Sequence, residues 1–112
     1  MNQEFYDAVE TNPVIAAVKN DDGLQTAVEM EEIQVIFVLY GDICTIPEIV
    51  KKIKDSGKKA LVHIDLIAGL SAKEVSVEFI KRQTNADGII TTKPALVRRA
   101  KELGLFTVLR FF

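Results

Sequence analysis

Five apolar segments rich in β-branched residues recur along the chain, and patterns typical of helices separate them. Several of these segments are apolar without alternation, as strands buried on both faces of a parallel sheet are. Between them, apolar residues repeat at intervals of three and four, which predicts helices with one buried face. The predicted strands are Pro13 to Val18, Val35 to Tyr40, Ala60 to Leu66, Gly88 to Thr91, and Thr107 to Phe112.

Turn and capping residues agree with these boundaries. The segments Thr45–Glu48 and Ser71–Glu74 have the Thr/Ser-x-x-Glu spacing of a capping box, which predicts a helix start at each. Gly57 and Gly104 are placed as C-terminal helix caps. The apolar stripes of the predicted helices are Leu24, Ala27 and Val28; Ile46, Ile49, Val50 and Ile53; Val75, Phe79 and Ile80; and Leu96, Val97, Ala100 and Leu103.

The alternation of strands and helices predicts an α/β fold with a parallel sheet built from right-handed βαβ units. Two architectures fit: a complete five-stranded doubly wound domain, or part of a TIM (β/α)₈ barrel, which takes about 250 residues. The chain stops in or just after its fifth strand, without a covering helix, and this favours the barrel. We therefore expect residues 1–112 to form a single partial TIM-barrel domain, with an N-terminal helix over residues 3–9, then five strands and four helices.

Composition narrows the functional classes. With 112 residues, 48% of them hydrophobic, the chain has enough apolar residues for one domain with its own core. A formal net charge of −2 provides no general attraction to nucleic acid or to anionic membranes. There is no apolar stretch of about 20 residues and no signal-peptide pattern at the N-terminus, so we expect a cytoplasmic protein without a membrane partner. The single cysteine, Cys44, rules out an intrachain disulfide.

Polar side chains stand at the ends of all the predicted strands, where α/β proteins bind their ligands. His63 and Asp65, two residues apart on a strand, are predicted to share a face. They could bind the hydroxyls of a polyol, form a structural pair in the mouth of a barrel, or take part in metal binding or catalysis. With one histidine in the chain, we predict no metal site. The candidate ligand-binding residues are Lys19, Asp42, His63, Asp65, Lys93 and Arg110.

Two of these residues have alternative interpretations. Lys93 precedes a helix start and could contact an anion, form a Schiff base or simply be solvated. Arg110 interrupts an apolar strand, and a buried arginine is costly unless it is paired. It could bind a phosphate or form a structural pair with Asp65. Catalytic residues are not predicted.

Five motifs of the chain occur together in one known family. The motifs are Pro13-Val-Ile-Ala-Ala-Val-Lys19, Leu39-Tyr-Gly41-Asp42-Ile43-Cys44, Val62-His63-Ile-Asp65-Leu-Ile-x-Gly69-Leu-Ser71, Ala86-Asp87-Gly88-Ile-Ile-x-Thr92-Lys93-Pro94 and Arg110-Phe111-Phe112. With these motifs the chain resembles the glycerol-3-phosphate-responsive antiterminators, bacterial regulators of glycerol uptake operons. The resemblance implies a compact TIM barrel that acts on leader mRNA of glycerol operons and permits read-through when glycerol-3-phosphate is present. It implies no enzymatic activity and no cofactor besides this effector; a homo-oligomer is possible. The phosphate of such barrels commonly sits after strands 7 and 8, outside this chain.

RNA binding is implied by this resemblance and not by composition. Basic residues on three predicted helices could form a contact stripe, although such residues are usually only a solvated face. An alternative function is a phosphosugar-binding barrel enzyme of the aldolase or isomerase type, with Lys93 and Asp65 as the reactive pair. A phosphorylated receiver, with Asp65 as the acceptor, is a third interpretation. The candidate RNA-binding residues are Lys51, Lys52, Lys81, Arg82, Arg98 and Arg99.

Overall fold

A parallel sheet of five strands forms the centre of the structure, a computed structural model that describes residues 14–111. The strands are β1 (Ile15–Val18), β2 (Val35–Val38), β3 (Lys59–His63), β4 (Gly88–Thr91) and β5 (Phe106–Leu109). The helices are α1 (Asp21–Glu29), α2 (Ile46–Asp55), α3 (Glu74–Gln83) and α4 (Pro94–Glu102), and a short 3₁₀ helix, Ile64–Leu66, follows β3. The helix predicted over residues 3–9 lies outside the described residues.

The strands lie side by side in the order in which they occur in the chain, β1-β2-β3-β4-β5, and all neighbouring pairs are parallel. A doubly wound sheet reverses its strand order at a switch point, for example 2-1-3-4-5 in receiver-like folds. The doubly wound alternative is therefore wrong, and the receiver interpretation fails with it. The prediction of an α/β fold with a five-stranded parallel sheet and four helices is confirmed.

One face of the sheet packs against the helices and forms the main core. Side chains such as Ile36, Val62 and Ile89 are fully buried there against the apolar stripes of the helices. The stripe predicted for α2 is buried as a whole, from Ile46 to Ile53. Because successive side chains of a strand point to opposite faces, every second residue of each strand is left for the other side of the sheet.

This second face carries a smaller apolar cluster. Val35, Leu61 and Ile90 are buried there, and Phe37 and Val108 pack against them while remaining partly exposed. The strand register brings Phe37 opposite Leu61 and His63 opposite Ile90, so the alternation continues across the strands. The second face thus has an apolar floor that leads to the carboxyl ends of the strands.

The helix start predicted at Thr45 is confirmed, since Thr45 is the N-cap residue of α2, whereas the start predicted at Ser71 is wrong. Thr45 does not cap α2 with its side chain; instead, Asp42 Oδ1 accepts hydrogen bonds from the backbone N–H groups of Cys44 (2.8 Å) and Thr45 (2.9 Å). Helix α3 begins at Glu74, so Ser71 lies too early to be its N-cap. The capping box is thus wrong at both positions: the Thr45 hydroxyl instead accepts a hydrogen bond from the backbone N–H of Asp42 at 3.0 Å, and α3 begins three residues after Ser71.

The predicted glycine caps are confirmed. Gly57 and Gly104 follow α2 and α4 with φ angles of 83° and 77°, the left-handed conformation that commonly ends helices. None of the helices in residues 14–111 has the length and apolar character needed to cross a membrane.

Candidate ligand-binding site at the carboxyl end of the sheet

A pocket of about 440 Å³ opens on the second face, near the carboxyl ends of the strands. All five strands or the residues that follow them contribute to its lining, which comprises Ala17, Lys19, Phe37, Leu39, His63, Ile90, Val108 and Arg110. In a flat sheet, the first and fifth strands would be about 19 Å apart, since neighbouring strands are separated by about 4.8 Å. Because residues of both edge strands line one pocket, the sheet is curved around its second face.

His63 and Arg110 form the polar contact at one side of this pocket. The His63 side chain is 1% exposed, and its Nε2 lies 3.3 Å from Nη1 of Arg110. Nδ1 of the same ring is buried and makes no hydrogen bond within the part of the chain that the structure describes. Lys19, which follows β1, is exposed and brings a second permanent positive charge to the same lining.

The imidazole of His63 is held in its neutral form. Burial lowers the pKa of His63 below its ordinary value of 6.5. The Asp65 carboxylate acts in the opposite direction, and the Arg110 guanidinium adds to the lowering. The ring is therefore neutral near pH 7, which suits its contact with a permanently charged guanidinium.

This shift predicts a pH dependence of stability. Folded His63 takes up its proton at a lower pH than unfolded His63, so the unfolded state binds more protons and stability falls as pH falls. The loss should begin near pH 6.5, the ordinary pKa, and end below the folded pKa. Chemical unfolding of the wild type and of His63→Gln between pH 7.5 and pH 5 measures the effect. The difference should be attributable to this group, because the chain has one histidine; identical pH profiles for the two proteins would contradict the assignment.

Asp65 lies in the 3₁₀ turn after β3 and not on the strand, so the prediction that it shares a strand face with His63 is wrong. Its carboxylate accepts hydrogen bonds from Thr91 Oγ1 (3.1 Å), from the backbone N–H of Thr92 (2.8 Å) and from Thr92 Oγ1 (2.7 Å). Burial opposes the charged form, but these hydrogen bonds outweigh it and lower the pKa of Asp65. Asp65 therefore fastens the β3–α3 connection to the end of β4, behind the pocket.

The remaining candidates also hold loops. Lys93 occupies the N-cap position of α4, where its side chain is exposed and its backbone N–H donates to Thr91 Oγ1 at 3.1 Å. Asp42 closes the turn before α2 and pairs with Ala68 in an isolated β-bridge. Of the predicted ligand-binding residues, the structure brings Lys19, His63 and Arg110 together in the pocket lining, and it leaves Asp42, Asp65 and Lys93 outside that lining.

Sequence reasoning missed the apolar floor of the pocket, formed by Phe37, Leu39 and Val108 among others. A signal for these residues was present in the chain. Phe37 and Val108 lie in register with Leu61 and Ile90 of the same face, and Leu39 follows directly after β2, two residues beyond Phe37. Within residues 14–111, there is no group of three or more His, Cys, Asp or Glu side chains that could hold a metal ion.

The basic residues of the helices differ in how many carboxylates lie near them. Arg99 is surrounded by carboxylates: it contacts Glu78, and it lies 3.9 Å from Glu74 and 3.6 Å from Glu102. Lys51 pairs with Asp55 at 2.8 Å in an exposed i,i+4 bridge. The positive charges of Arg99 and Lys51 are thus largely balanced locally. Lys52, Lys81, Arg82 and Arg98 are exposed on the outer surfaces of α2, α3 and α4.

The sequence of the chain matches one protein family over nearly its whole length. Residues 14–112 match the family described as glycerol-3-phosphate responsive antiterminator. The chain belongs to this family. The expected resemblance is thereby confirmed over nearly the whole sequence.

Similar proteins are known from several bacteria. The uncharacterized protein YgcP of Escherichia coli (strain K12) is 54% identical over 101 residues, which are 90% of this chain and 52% of YgcP. The glycerol uptake operon antiterminator regulatory protein of Listeria monocytogenes superposes with a TM-score of 0.85 at 26% identity, over 90% of this chain and 55% of that one. A glycerol uptake operon antiterminator-related protein of Thermotoga maritima gives a TM-score of 0.78 at 37% identity, over 88% and 55%. The chain spans about half the length of each of these relatives.

Proposed function

We propose that this protein is an RNA-binding transcription antiterminator of glycerol metabolism or uptake operons that responds to glycerol-3-phosphate. The observation that carries the proposal is the convergence of Lys19, His63 and Arg110 in one pocket at the carboxyl end of the sheet. In parallel α/β folds this end of the sheet is where ligands bind. Family membership supports the regulatory role, as does the similarity to the structures of an antiterminator regulatory protein and an antiterminator-related protein.

The pocket suits a small anion. Its lining contains the ammonium of Lys19 and the guanidinium of Arg110, and no acidic side chain from residues 14–111 is part of it. Phosphate groups are bound by such pairs through charge-assisted hydrogen bonds. A volume of about 440 Å³ is within the usual range for small-molecule sites.

We further propose that the five strands belong to a closed (β/α)₈ barrel. The sequential strand order and the curvature around the second face support this proposal, because a segment of such a barrel has both features. The match covers 55% of each of the two relatives of the same fold, which leaves room in them for the other strands. We propose no enzymatic turnover, because neither Lys93 nor Asp65, the reactive pair that an aldolase-type enzyme would need, lines the pocket, and the Asp65 carboxylate is engaged by Thr91 and Thr92. The protein would act in the cytoplasm, where leader transcripts are made.

The RNA surface is proposed to be local. Since the net charge is −2, the overall field of the protein does not attract RNA. The exposed basic residues Lys52, Lys81, Arg82 and Arg98 lie on consecutive helices, and Arg82 and Lys51 line a groove of about 360 Å³ between α2 and α3. Four phosphate contacts at most would leave specificity to the shape and unpaired bases of the leader RNA.

The test is a titration of a glycerol-operon leader RNA with the protein, at several salt concentrations, with and without glycerol-3-phosphate. We expect log K to fall with log salt at a slope of roughly −2 to −3, because each of three or four contacts contributes about −0.7 on single-stranded RNA. Glycerol-3-phosphate should tighten binding, since an effector favours the state for which it has the higher affinity.

Matched variants sharpen this measurement. Arg82→Gln should reduce the salt slope by about one contact, or 0.7. Lys51→Gln is the control on the neighbouring helix, where Asp55 already balances the charge, and it should change the slope less. Equal affinity for an unrelated RNA, or indifference to glycerol-3-phosphate, would contradict the proposed function.

A further inference from the structure

The contact between Arg110 and His63 determines the tautomer of the histidine. A guanidinium has only N–H donors and no acceptor, so Arg110 Nη1–H donates to His63 Nε2 across 3.3 Å. Nε2 must then carry the lone pair. In a neutral imidazole the proton is therefore on Nδ1.

This arrangement has a cost that an apolar residue would avoid. Nδ1 is buried and has no hydrogen-bond partner within residues 14–111. Buried polar groups without partners are rare in proteins, and each one calls for an explanation. A leucine or methionine on this strand face would fit beside Leu61 and Ile90 without that cost. An imidazole at this position therefore points to a use for its second nitrogen, Nε2, and Nε2 is the atom that accepts the hydrogen bond from Arg110.

We propose that Arg110 and Lys19 form an anion subsite that binds the phosphate group of the effector, and that His63 is a positioning residue that orients the Arg110 guanidinium through Nε2. This inference rests on the proposed function and assigns the phosphate end of the effector to this chain. Phosphate sites of (β/α)₈ barrels commonly follow strands 7 and 8. Here the two charges come instead from the ends of β1 and β5, the edge strands of the curved sheet.

The chemistry of the subsite fits a phosphate monoester. The planar guanidinium provides paired donors, and the lysine adds a point charge from the facing strand. A guanidinium on a long, exposed side chain loses conformational entropy when it binds, and a hydrogen bond that holds it in place beforehand reduces that loss. Nε2 of His63 provides such a bond only while the ring is neutral, because a protonated imidazole has no acceptor.

The experiment is calorimetric titration with glycerol-3-phosphate and, separately, with inorganic phosphate. Arg110→Ala should weaken binding of both by roughly 10-fold to 100-fold, the range for a charge-assisted hydrogen bond. Lys19→Ala should weaken both by a smaller factor. Lys93→Ala is the matched control, since this exposed strand-end lysine lies outside the pocket lining, and it should leave both affinities unchanged.

Two variants of His63, His63→Gln and His63→Asn, distinguish a role in orienting Arg110 from a role in packing alone. Gln at position 63 places an amide oxygen near the site of Nε2 and can accept from Arg110, whereas the shorter Asn ends near the site of Nδ1. We expect His63→Gln to bind phosphate within about 3-fold of wild type and His63→Asn to lose roughly 10-fold, as one charged hydrogen bond would predict. Thermal melts of both variants establish that they are folded under the titration conditions.

The tautomer of His63 can be measured directly, and it should depend on Arg110 only if the two side chains are hydrogen-bonded as proposed. The chain has one histidine, so its side-chain ¹⁵N resonances are unambiguous. They should show Nδ1–H in the wild type and a shift toward Nε2–H in Arg110→Ala. Nε2–H in the wild type, or equal binding by the Gln and Asn variants, would overturn the positioning role. If wild type binds glycerol-3-phosphate and Arg110→Ala binds it equally well, the subsite is wrong while the proposed function stands. Failure of wild type to bind glycerol-3-phosphate would overturn both.

Discussion

Replacing Gly88 by alanine should destabilise the protein by about 3 kcal/mol, near the upper end of the range for overpacked sites. Gly88 opens β4 and lies opposite Phe106 of β5. A Cβ at this position would stand 2.4 Å from the backbone oxygen of Phe106 and 2.8 Å from its carbonyl carbon. Backbone atoms cannot rotate away as a side chain can, so the β4–β5 pairing has to shift. Thermal unfolding should show the melting temperature lowered by roughly 10 to 20 °C.

Gly57→Ala is the control for this prediction. Gly57 has a φ of 83°, but a Cβ there would meet nothing within 4 Å. Only the strain of a left-handed alanine applies, which costs about 1 kcal/mol. If the two variants lost equal stability, the close approach of β5 to Gly88 would not be the cause. Because β5 leads directly to Arg110, Gly88→Ala should also weaken phosphate binding, whereas Gly57→Ala should not.

The sequence pattern was sufficient to predict the strands and helices, because the formation of these elements depends on which residues are buried. Val35 and Ile36 are both fully buried, as the apolar run of β2 predicts for a strand covered on two faces. The strand order could not be read from the pattern, since the doubly wound and the barrel arrangements have the same alternation of elements. The strand order depends on which strands pair with each other, and these pairings join residues that are far apart in the chain.

The site was predictable only in part. Lys19, His63 and Arg110 were identified as polar groups at strand ends, and the structure brings them to one pocket. Asp65 was misplaced because a 3₁₀ turn ends β3 at His63, three residues before the end of the apolar run at Leu66. Its partners Thr91 and Thr92 belong to another strand end, and pairings of that kind have no local signal.

The charges on the helix surfaces were also only partly predictable from the sequence. Arg98 and Arg99 are adjacent arginines, yet the side chain of Arg98 is exposed to solvent and that of Arg99 faces three carboxylates. The difference arises from the packing of α4 against α3, which brings Glu74 and Glu78 toward one arginine. A basic stripe counted from sequence alone therefore overestimates the charge that is available to RNA.

Asp87, which sequence reasoning did not identify, supports the opposite end of the sheet from the pocket. It precedes β4, its side chain is 9% exposed, and its Oδ2 accepts from the backbone N–H of Ala60 at 2.9 Å and from Lys54 Nζ at 3.0 Å. One carboxylate thus joins the start of β3, the start of β4 and helix α2. In barrels, residues at this amino-terminal end serve stability, whereas the carboxyl-terminal end carries function.

Asp87→Ala should therefore cost about 3 kcal/mol of stability without changing the affinity of the folded protein for phosphate. The alanine leaves the buried N–H of Ala60 without its acceptor and Lys54 without its counter-charge, and each loss is destabilising. Urea unfolding and calorimetric titration, performed on the same preparations, measure the two quantities.

Asp87→Asn separates the two contributions. Its amide oxygen can still accept from Ala60 but carries no charge, so it should retain most of the stability and lose about 1 kcal/mol, the value of a partly exposed ion pair. If Asp87→Asn were as unstable as Asp87→Ala, the ion pair with Lys54 would be the dominant interaction and the bond to Ala60 a minor one. A loss of phosphate affinity in a folded Asp87 variant would show instead that the two ends of the sheet are coupled, and that the separation of stability from binding does not hold for this protein.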